Sequence, residues 1–152
     1  MQQGSKAASM TKKAPPISDG HRRTRRDHSR ETAEDYVEAV AEITVEHGRC
    51  RVVDLARRFA VSHVTVSKTV SRLSESGLVT SEPYGPVELT ARGQRLARES
   101  RRRHEVVYDF LLAIGVSEKA AAIDAEGIEH HMSPETLKCM AELTEKITRK
   151  TP

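Results

Sequence analysis

Glu126, Glu129 and His130 fall three and four residues apart in the stretch Glu126-Gly127-Ile128-Glu129-His130-His131. On a helix, positions i, i+3 and i+4 share one face. Two carboxylates and an imidazole converging on one small volume suit a divalent cation that accepts hard and borderline donors. The same three residues alone also describe the solvated face of an ordinary helix. His131 lies about 100° around the helix from His130, which places it outside that face. Asp35 and Glu38 are three apart in another segment, and by themselves they read first as the wet side of an amphipathic helix. His104-Glu105 invites comparison with the HExxH zinc-protease motif, but position 108 is Tyr, so that motif is absent. Cys50 and Cys139 are isolated and fit no zinc-ligand spacing. What remains is a set of oxygen and nitrogen donors on three predicted helices: Asp35 and Glu38, then His104, then Glu126, Glu129 and His130.

These donors need a scaffold, and 152 residues allow one domain or two very small ones. A hydrophobic fraction of 37%, with two Phe, three Tyr and no Trp, supports only a thin core. Such cores are often completed by a second subunit, so a homo-oligomer is expected. No apolar run approaches the roughly 20 residues that span a bilayer. The polar N-terminus lacks the apolar core of a signal peptide, and unpaired cysteines suit a reducing cytosol, so a cytoplasmic protein is expected.

The formal net charge of +3 conceals segregation: residues 1–30 carry +6, residues 31–47 carry −6, residues 48–103 carry +7 and residues 104–152 carry −4. A basic block between acidic ones suggests a module for a polyanion flanked by modules for a cation.

Residues 1–30 show almost no apolar periodicity, and Pro15-Pro16 with a dense Arg run predicts a disordered basic tail. Arg22, Arg23, Arg25 and Arg26 read equally as a DNA-backbone arm or as solubilising charge. Residues 31–47 predict a helix starting near Thr32, with Tyr36, Val37, Val40, Ile43 and Thr44 as its apolar stripe and Gly48 as its stop.

Residues 52–79 predict a helix-turn-helix. The first helix turns Val52/Val53, Leu55, Ala56 and Phe59 inward; Ala60-Val61-Ser62 is the turn, with Ser62 a cap for the second helix. That helix turns Val66, Val70 and Leu73 inward and ends at Gly77. It leaves His63, Thr65, Ser67, Lys68 and Arg72 outward. Short polar groups at its front suit base edges in a major groove, and cations farther along suit phosphates. An ordinary amphipathic hairpin would share the pattern without the function.

Residues 78–90 predict strand, turn and strand around Pro83-Tyr84-Gly85-Pro86, the wing of a winged helix. Tyr84 is the large side chain at its tip, placed to touch sugar-phosphate or to pack the hairpin. A long helix over 91–114 follows, with Leu96, Val106, Val107, Phe110, Leu111 and Ile114 apolar and a basic first half. Gly115 closes it. Ser117 caps a helix over about 117–131, and Pro134 opens a last one to about Thr148, with Leu137, Met140, Ala141, Leu143 and Ile147 as its stripe.

In combination these motifs resemble the diphtheria toxin repressor family of metal-dependent transcription factors, and within it the manganese transport regulators. The matching residues are Glu34-Asp35-Tyr36-Val37-Glu38, the helix-turn-helix at 52–73, Arg103-His104-Glu105, Phe110-Leu111, Gly115-Val116 and Asp124 to His131. The resemblance spans about 31–148. It implies a mainly α fold: a winged helix-turn-helix DNA-binding domain at 31–100 and a helical metal-binding and dimerisation domain at 101–150, after the tail. No SH3-like third domain, which larger members carry, is expected.

The resemblance also implies that Asp35, Glu38, His104, Glu126, Glu129 and His130 bind one or two Mn²⁺ ions per subunit, with Fe²⁺ or Zn²⁺ as substitutes. Iron-responsive relatives tend to carry Met and Cys where this chain has Asp35 and Glu126. Manganese sits low in the Irving–Williams order, so it is selected by hard ligands and not by raw affinity. The implied protein is a homodimeric repressor, not an enzyme, that binds palindromic operator DNA when loaded, through Ser62, His63, Thr65, Ser67, Lys68, Arg72 and Tyr84. Relatives commonly have Arg-Gly after the tip aromatic, whereas Gly85-Pro86 stands here and removes a cation, for which the Arg-rich tail could compensate. The rival readings are an iron-responsive member of the same family, a MarR-type winged-helix sensor of an organic ligand, and a metal-dependent hydrolase.

Overall fold

Ile17–His47 forms one 31-residue helix, α1, in the computed structural model, which describes residues 17–150 and the side chains of 27–149. The element order continues α2 (Val52–Phe59), α3 (His63–Glu75), β1 (Val79–Ser81), β2 (Val87–Leu89), α4 (Ala91–Ala113), α5 (Glu118–Ile128), a 3-10 turn (Glu129–His131) and α6 (Pro134–Lys150). This is the mainly helical winged architecture expected from the sequence.

Two expectations fail at α1. Its start lies at Ile17 and not near Thr32, so residues 17–30 are helical and not a disordered tail. The cause is continuity. No Pro follows Pro16 before the strongly packed segment, Gly20 is tolerated within the helix, and i, i+4 links such as Arg30–Glu34 extend the helix backward from that segment. Thr32 caps nothing; its hydroxyl donates to the His28 carbonyl within the helix. The four tail arginines lie on this extension, but their side chains, like residues 1–16, are outside the described residues.

The core gathers around the middle of α1. Tyr36, Val37, Val40 and Ile43 are buried with Leu55, Ala56, Val66, Val70, Leu73, Leu78, Val79 and Val87. Tyr36 stacks on Phe59 with ring centroids 4.4 Å apart and an interplanar angle of 12°. Gly48 takes φ +75, which lets its N–H close the last turn of α1 onto the Thr44 carbonyl. In α2, Val53 points outward and Val52 is half-buried, so only one of that pair serves the core.

Ser62 caps α3 by accepting from the Thr65 N–H, and Val66, Val70 and Leu73 are buried as expected. The wing is a two-stranded antiparallel ribbon with Val79 opposite Leu89 and Ser81 opposite Val87. It is stitched to the body by Val87 N–H donating to the Cys50 carbonyl at 2.8 Å. Thr90 caps α4 and donates back to the Gly77 carbonyl at 2.7 Å. Gly93 makes this junction possible: a Cβ there would sit 2.0 Å from the Leu78 carbonyl oxygen.

The long helix α4 links the two halves, packing on α1 at one end and on α5 and α6 at the other. The predicted helix over 117–131 ends early. The α-helical pattern stops at Ile128, and Glu129–His131 tighten into a 3-10 turn. Among the described residues, no helix is long and apolar enough to cross a membrane.

Candidate metal centre and DNA-binding surface

The 3-10 turn decides how the acidic and imidazole side chains meet. It carries Glu129 and His130 inward, each with a side chain only 3% exposed, while Glu126 on the last α-turn stays 69% exposed. His104 projects from α4 between them. Its Nδ1 lies 2.5 Å from Glu129 Oε2 and 3.7 Å from Glu126 Oε1. One ligand atom from each of His104, Glu126 and Glu129 falls within 4.8 Å of the others.

The second oxygen of Glu129 faces the other imidazole, with Oε1 3.5 Å from His130 Nε2. That nitrogen is 3.2 Å from Asp35 Oδ1 on α1. Glu38 completes the approach from α1. A cavity of about 250 Å³ is lined by Glu31, Asp35, Glu38, Glu42, Glu126, His130 and Arg58, among others. The six side chains singled out from sequence therefore face one region from α1, α4 and the end of α5. His104, Glu126 and Glu129 are the tight group, His130 and Asp35 join through Glu129, and Glu38 shares the cavity. His131 is half-exposed and its ring reaches only to 4.0 Å from Glu31.

The electrostatics are those of crowded carboxylates that outnumber the cationic groups beside them, Arg58 and His130. Burial pushes the Glu38 carboxyl up from its ordinary range, against a favourable influence from Ser100, and the charges of Glu126, Asp35 and Glu42 push it further. Ser100 Oγ and Glu38 Oε1 are nonetheless both buried without an aligned hydrogen-bond partner. Burial also raises Glu129, although the His104 and His130 rings pull it back. The hydrogen bonds to Asp35 and Glu34 push His130 up to about 10, against its burial. A buried carboxylate with an orphaned oxygen, surrounded by other carboxylates, is destabilised as it stands and fits a divalent cation. The donors are oxygen and imidazole nitrogen throughout, with no sulfur.

Sequence reasoning missed Glu34. It is fully buried and touches His130, Arg30 and Arg103. Burial pushes its carboxyl up, but the hydrogen bonds from His130 and Arg30 and the Arg103 charge outweigh this and bring it down to about 2. The signal was available: Glu34, Val37 and Val40 recur at a spacing of three, so Glu34 occupies the buried stripe.

On the opposite side of the helix-turn-helix, His63, Thr65, Ser67, Lys68 and Arg72 are all exposed on α3. Ser62 is exposed as well but is engaged by Thr65, whose hydroxyl is 2.9 Å from its own. Val64, which was not singled out, is 64% exposed at the front of the same helix. Tyr84 does not pack the hairpin. Its side chain is fully exposed at the wing tip, on a backbone held at φ 60.

Residues 28–87 match the model for the iron dependent repressor N-terminal DNA binding domain, and residues 90–151 that for the iron dependent repressor metal binding and dimerisation domain. The transcriptional regulator MntR of Escherichia coli O6:H1 is 47% identical over 128 residues, which cover 84% of this chain and 83% of that protein. The chain belongs to the iron-dependent repressor family. This is a family of metal-dependent transcriptional regulators, not enzymes, which sets aside the hydrolase and MarR-type readings. Among solved structures of the family, IdeR of T. acidophilum is 26% identical, with a TM-score of 0.63 over 74% of this chain and 53% of that one. A manganese-dependent transcriptional repressor in complex with manganese is 27% identical, with a TM-score of 0.62 over 74% of this chain and 52% of that one. The chain thus spans about half the length of these solved relatives.

Proposed function

We propose that this protein is a manganese-responsive, homodimeric repressor that binds palindromic operator DNA in the cytoplasm and controls manganese uptake. The observation that carries the metal reading is Glu38. Its buried Oε1 has no aligned hydrogen-bond partner, and burial together with the charges of three other carboxylates, Glu126, Asp35 and Glu42, raises its pKa. The ion would be held by Asp35, Glu38, His104, Glu126, Glu129 and His130. Bound there, a divalent cation would offset the mutual repulsion of these carboxylates.

The protein's own residues do the rest. Asp35 and Glu38 stand on α1, which carries the core of the winged helix, whereas His104, Glu126, Glu129 and His130 stand on the helical half. Neutralising their mutual repulsion favours one arrangement of the DNA-binding residues, 31–100, against the dimerisation residues, 101–150. In a dimer this fixes the separation and tilt of the two α3 helices relative to successive half-sites. His63, Thr65, Ser67, Lys68 and Arg72, with Ser62 at the cap and Tyr84 at the wing, form the contact surface. Ile114, Ile123 and Leu143 are 52%, 63% and 45% exposed on α4, α5 and α6 or at their ends, apolar surface that a second copy would cover.

Manganese over iron is supported by the sulfur-free donor set, because thiolate and thioether ligands favour softer metals. The test is calorimetric titration of the metal-free protein with Mn²⁺, Fe²⁺ and Zn²⁺, each followed by DNA binding. The expected result is that Mn²⁺ activates DNA binding. Activation by Fe²⁺ alone would replace manganese by iron in this reading.

A further inference from the structure

His130 presents two nitrogens to two different environments. Its Nδ1 lies 2.7 Å from Glu34 Oε2. Its Nε2 faces Asp35 Oδ1 at 3.2 Å and Glu129 Oε1 at 3.5 Å. An imidazole anchored at one nitrogen can vary little in what the other nitrogen faces, which is how outer carboxylates orient metal-binding histidines in general. Glu34 is itself pinned. Arg30 Nε approaches Oε1 at 2.8 Å from one turn back on α1, and Arg103 Nη2 approaches the same oxygen at 2.6 Å from α4. Arg103 is mostly buried, its Nε and Nη2 find no aligned hydrogen-bond partner, and its ion pair is with Glu34. One fully buried carboxylate therefore ties α1 to α4 and to the 3-10 turn.

We propose that Glu34 is a positioning residue for the metal centre: it holds His130 through Nδ1 so that Nε2 stays aimed toward Asp35 and Glu129, and Arg30 and Arg103 hold Glu34 in its turn. Glu34 does not itself touch the ion. The role rests on the manganese-centre reading above, but its first readout does not require metal.

That readout is the His130 Nδ1 proton in the metal-free full-length protein, followed by ¹⁵N-resolved NMR. A buried ring N–H donated to a carboxylate gives a downfield resonance protected from exchange with solvent. It is expected in the wild type, lost in Glu34→Leu and retained in Glu34→Gln, whose amide oxygen still accepts. Titration with MnCl₂ then gives the second readout. Glu34→Leu is expected to lose affinity by about 10–100-fold, the range for outer-shell partners, and Glu34→Gln to lose distinctly less. Absence of a protected His130 Nδ1 proton in the folded wild type overturns the proposal, whether or not Glu34→Leu folds. Equal losses of affinity in both variants also overturn it, because Glu34 would then act by charge and not by orientation. If the wild type shows the protected proton but binds no Mn²⁺, the metal reading fails while the anchoring of His130 stands.

Discussion

His104 Nδ1 and Glu129 Oε2 sit 2.5 Å apart although 25 residues separate them in the chain. Glu129 is buried, and its two oxygens face the two imidazoles that come from α4 and from the turn next to α5. It is the side chain through which the tight group and the α1 side of the site communicate. Glu129→Gln keeps its volume and removes its charge. Mn²⁺ affinity should fall by at least the about 10–100-fold that loss of an outer-shell partner causes, with helical content by circular dichroism unchanged. Wild-type affinity in a folded Glu129→Gln protein would remove Glu129 from the ligand set.

Glu38 offers a test with opposite signs in two assays. Its carboxylate is buried among like charges and has an orphaned oxygen. In Glu38→Gln that repulsion is relieved without opening a cavity. The metal-free variant should melt about 2–4 °C higher, the shift that about 1 kcal/mol produces in a chain of this size. The same variant should lose the response of DNA binding to Mn²⁺. A lower melting temperature would mean that Glu38 is a stabilising structural charge and not a ligand waiting for a cation.

Gly93 tests the junction between wing and α4. Its missing Cβ leaves room for the Leu78 carbonyl, which would otherwise be 2.0 Å away. Both the backbone at Leu78 and the start of α4 would have to shift in Gly93→Ala. Overpacking of this kind costs about 1–3 kcal/mol, so urea denaturation should show a lower midpoint despite the better helix propensity of Ala. An unchanged or higher midpoint would show that the contact relaxes freely.

Cys50 gives the pH dependence. It is 1% exposed, and burial, with a smaller contribution from Asp54, pushes its thiol up to about 11. Folding therefore favours the protonated thiol. Its contribution to stability is complete below the ordinary thiol pKa and is lost as pH rises toward about 11. In a Cys139→Ser background, Cys50 should resist a thiol-specific reagent at pH 8 in the native protein and react promptly in denaturant. The fall in stability above pH 9 should shrink in Cys50→Ala. Rapid labelling of the native protein would contradict the burial.

The elements set by local pattern were legible in the sequence. The helix-turn-helix followed from Val66, Val70 and Leu73 at helical spacing, and the wing from Pro83, Gly85 and Pro86. What was not legible depended on contacts between distant segments. Glu34 looks like one more acid on a polar helix until Arg103 and His130 are brought beside it. The break after Ile128 is similar: spacing alone extends the helix through His131, but the pull of His104 on Glu129 and of Glu34 on His130 coincides with a tighter turn. The start of α1 at Ile17 is hidden for the opposite reason. A polar, arginine-rich segment has no apolar stripe to announce a helix, yet it is carried as a helical extension of a buried neighbour.

The central claim is that metal and DNA are coupled through the two halves of the chain. The direct measurement is fluorescence anisotropy of a palindromic duplex, selected from a random-sequence library, titrated with the protein with and without Mn²⁺ at fixed salt. A coupling of about 1–3 kcal/mol predicts an affinity roughly 5–150-fold higher with Mn²⁺, and an equal tightening of Mn²⁺ when DNA is bound. Equal DNA affinity with and without Mn²⁺ would contradict it.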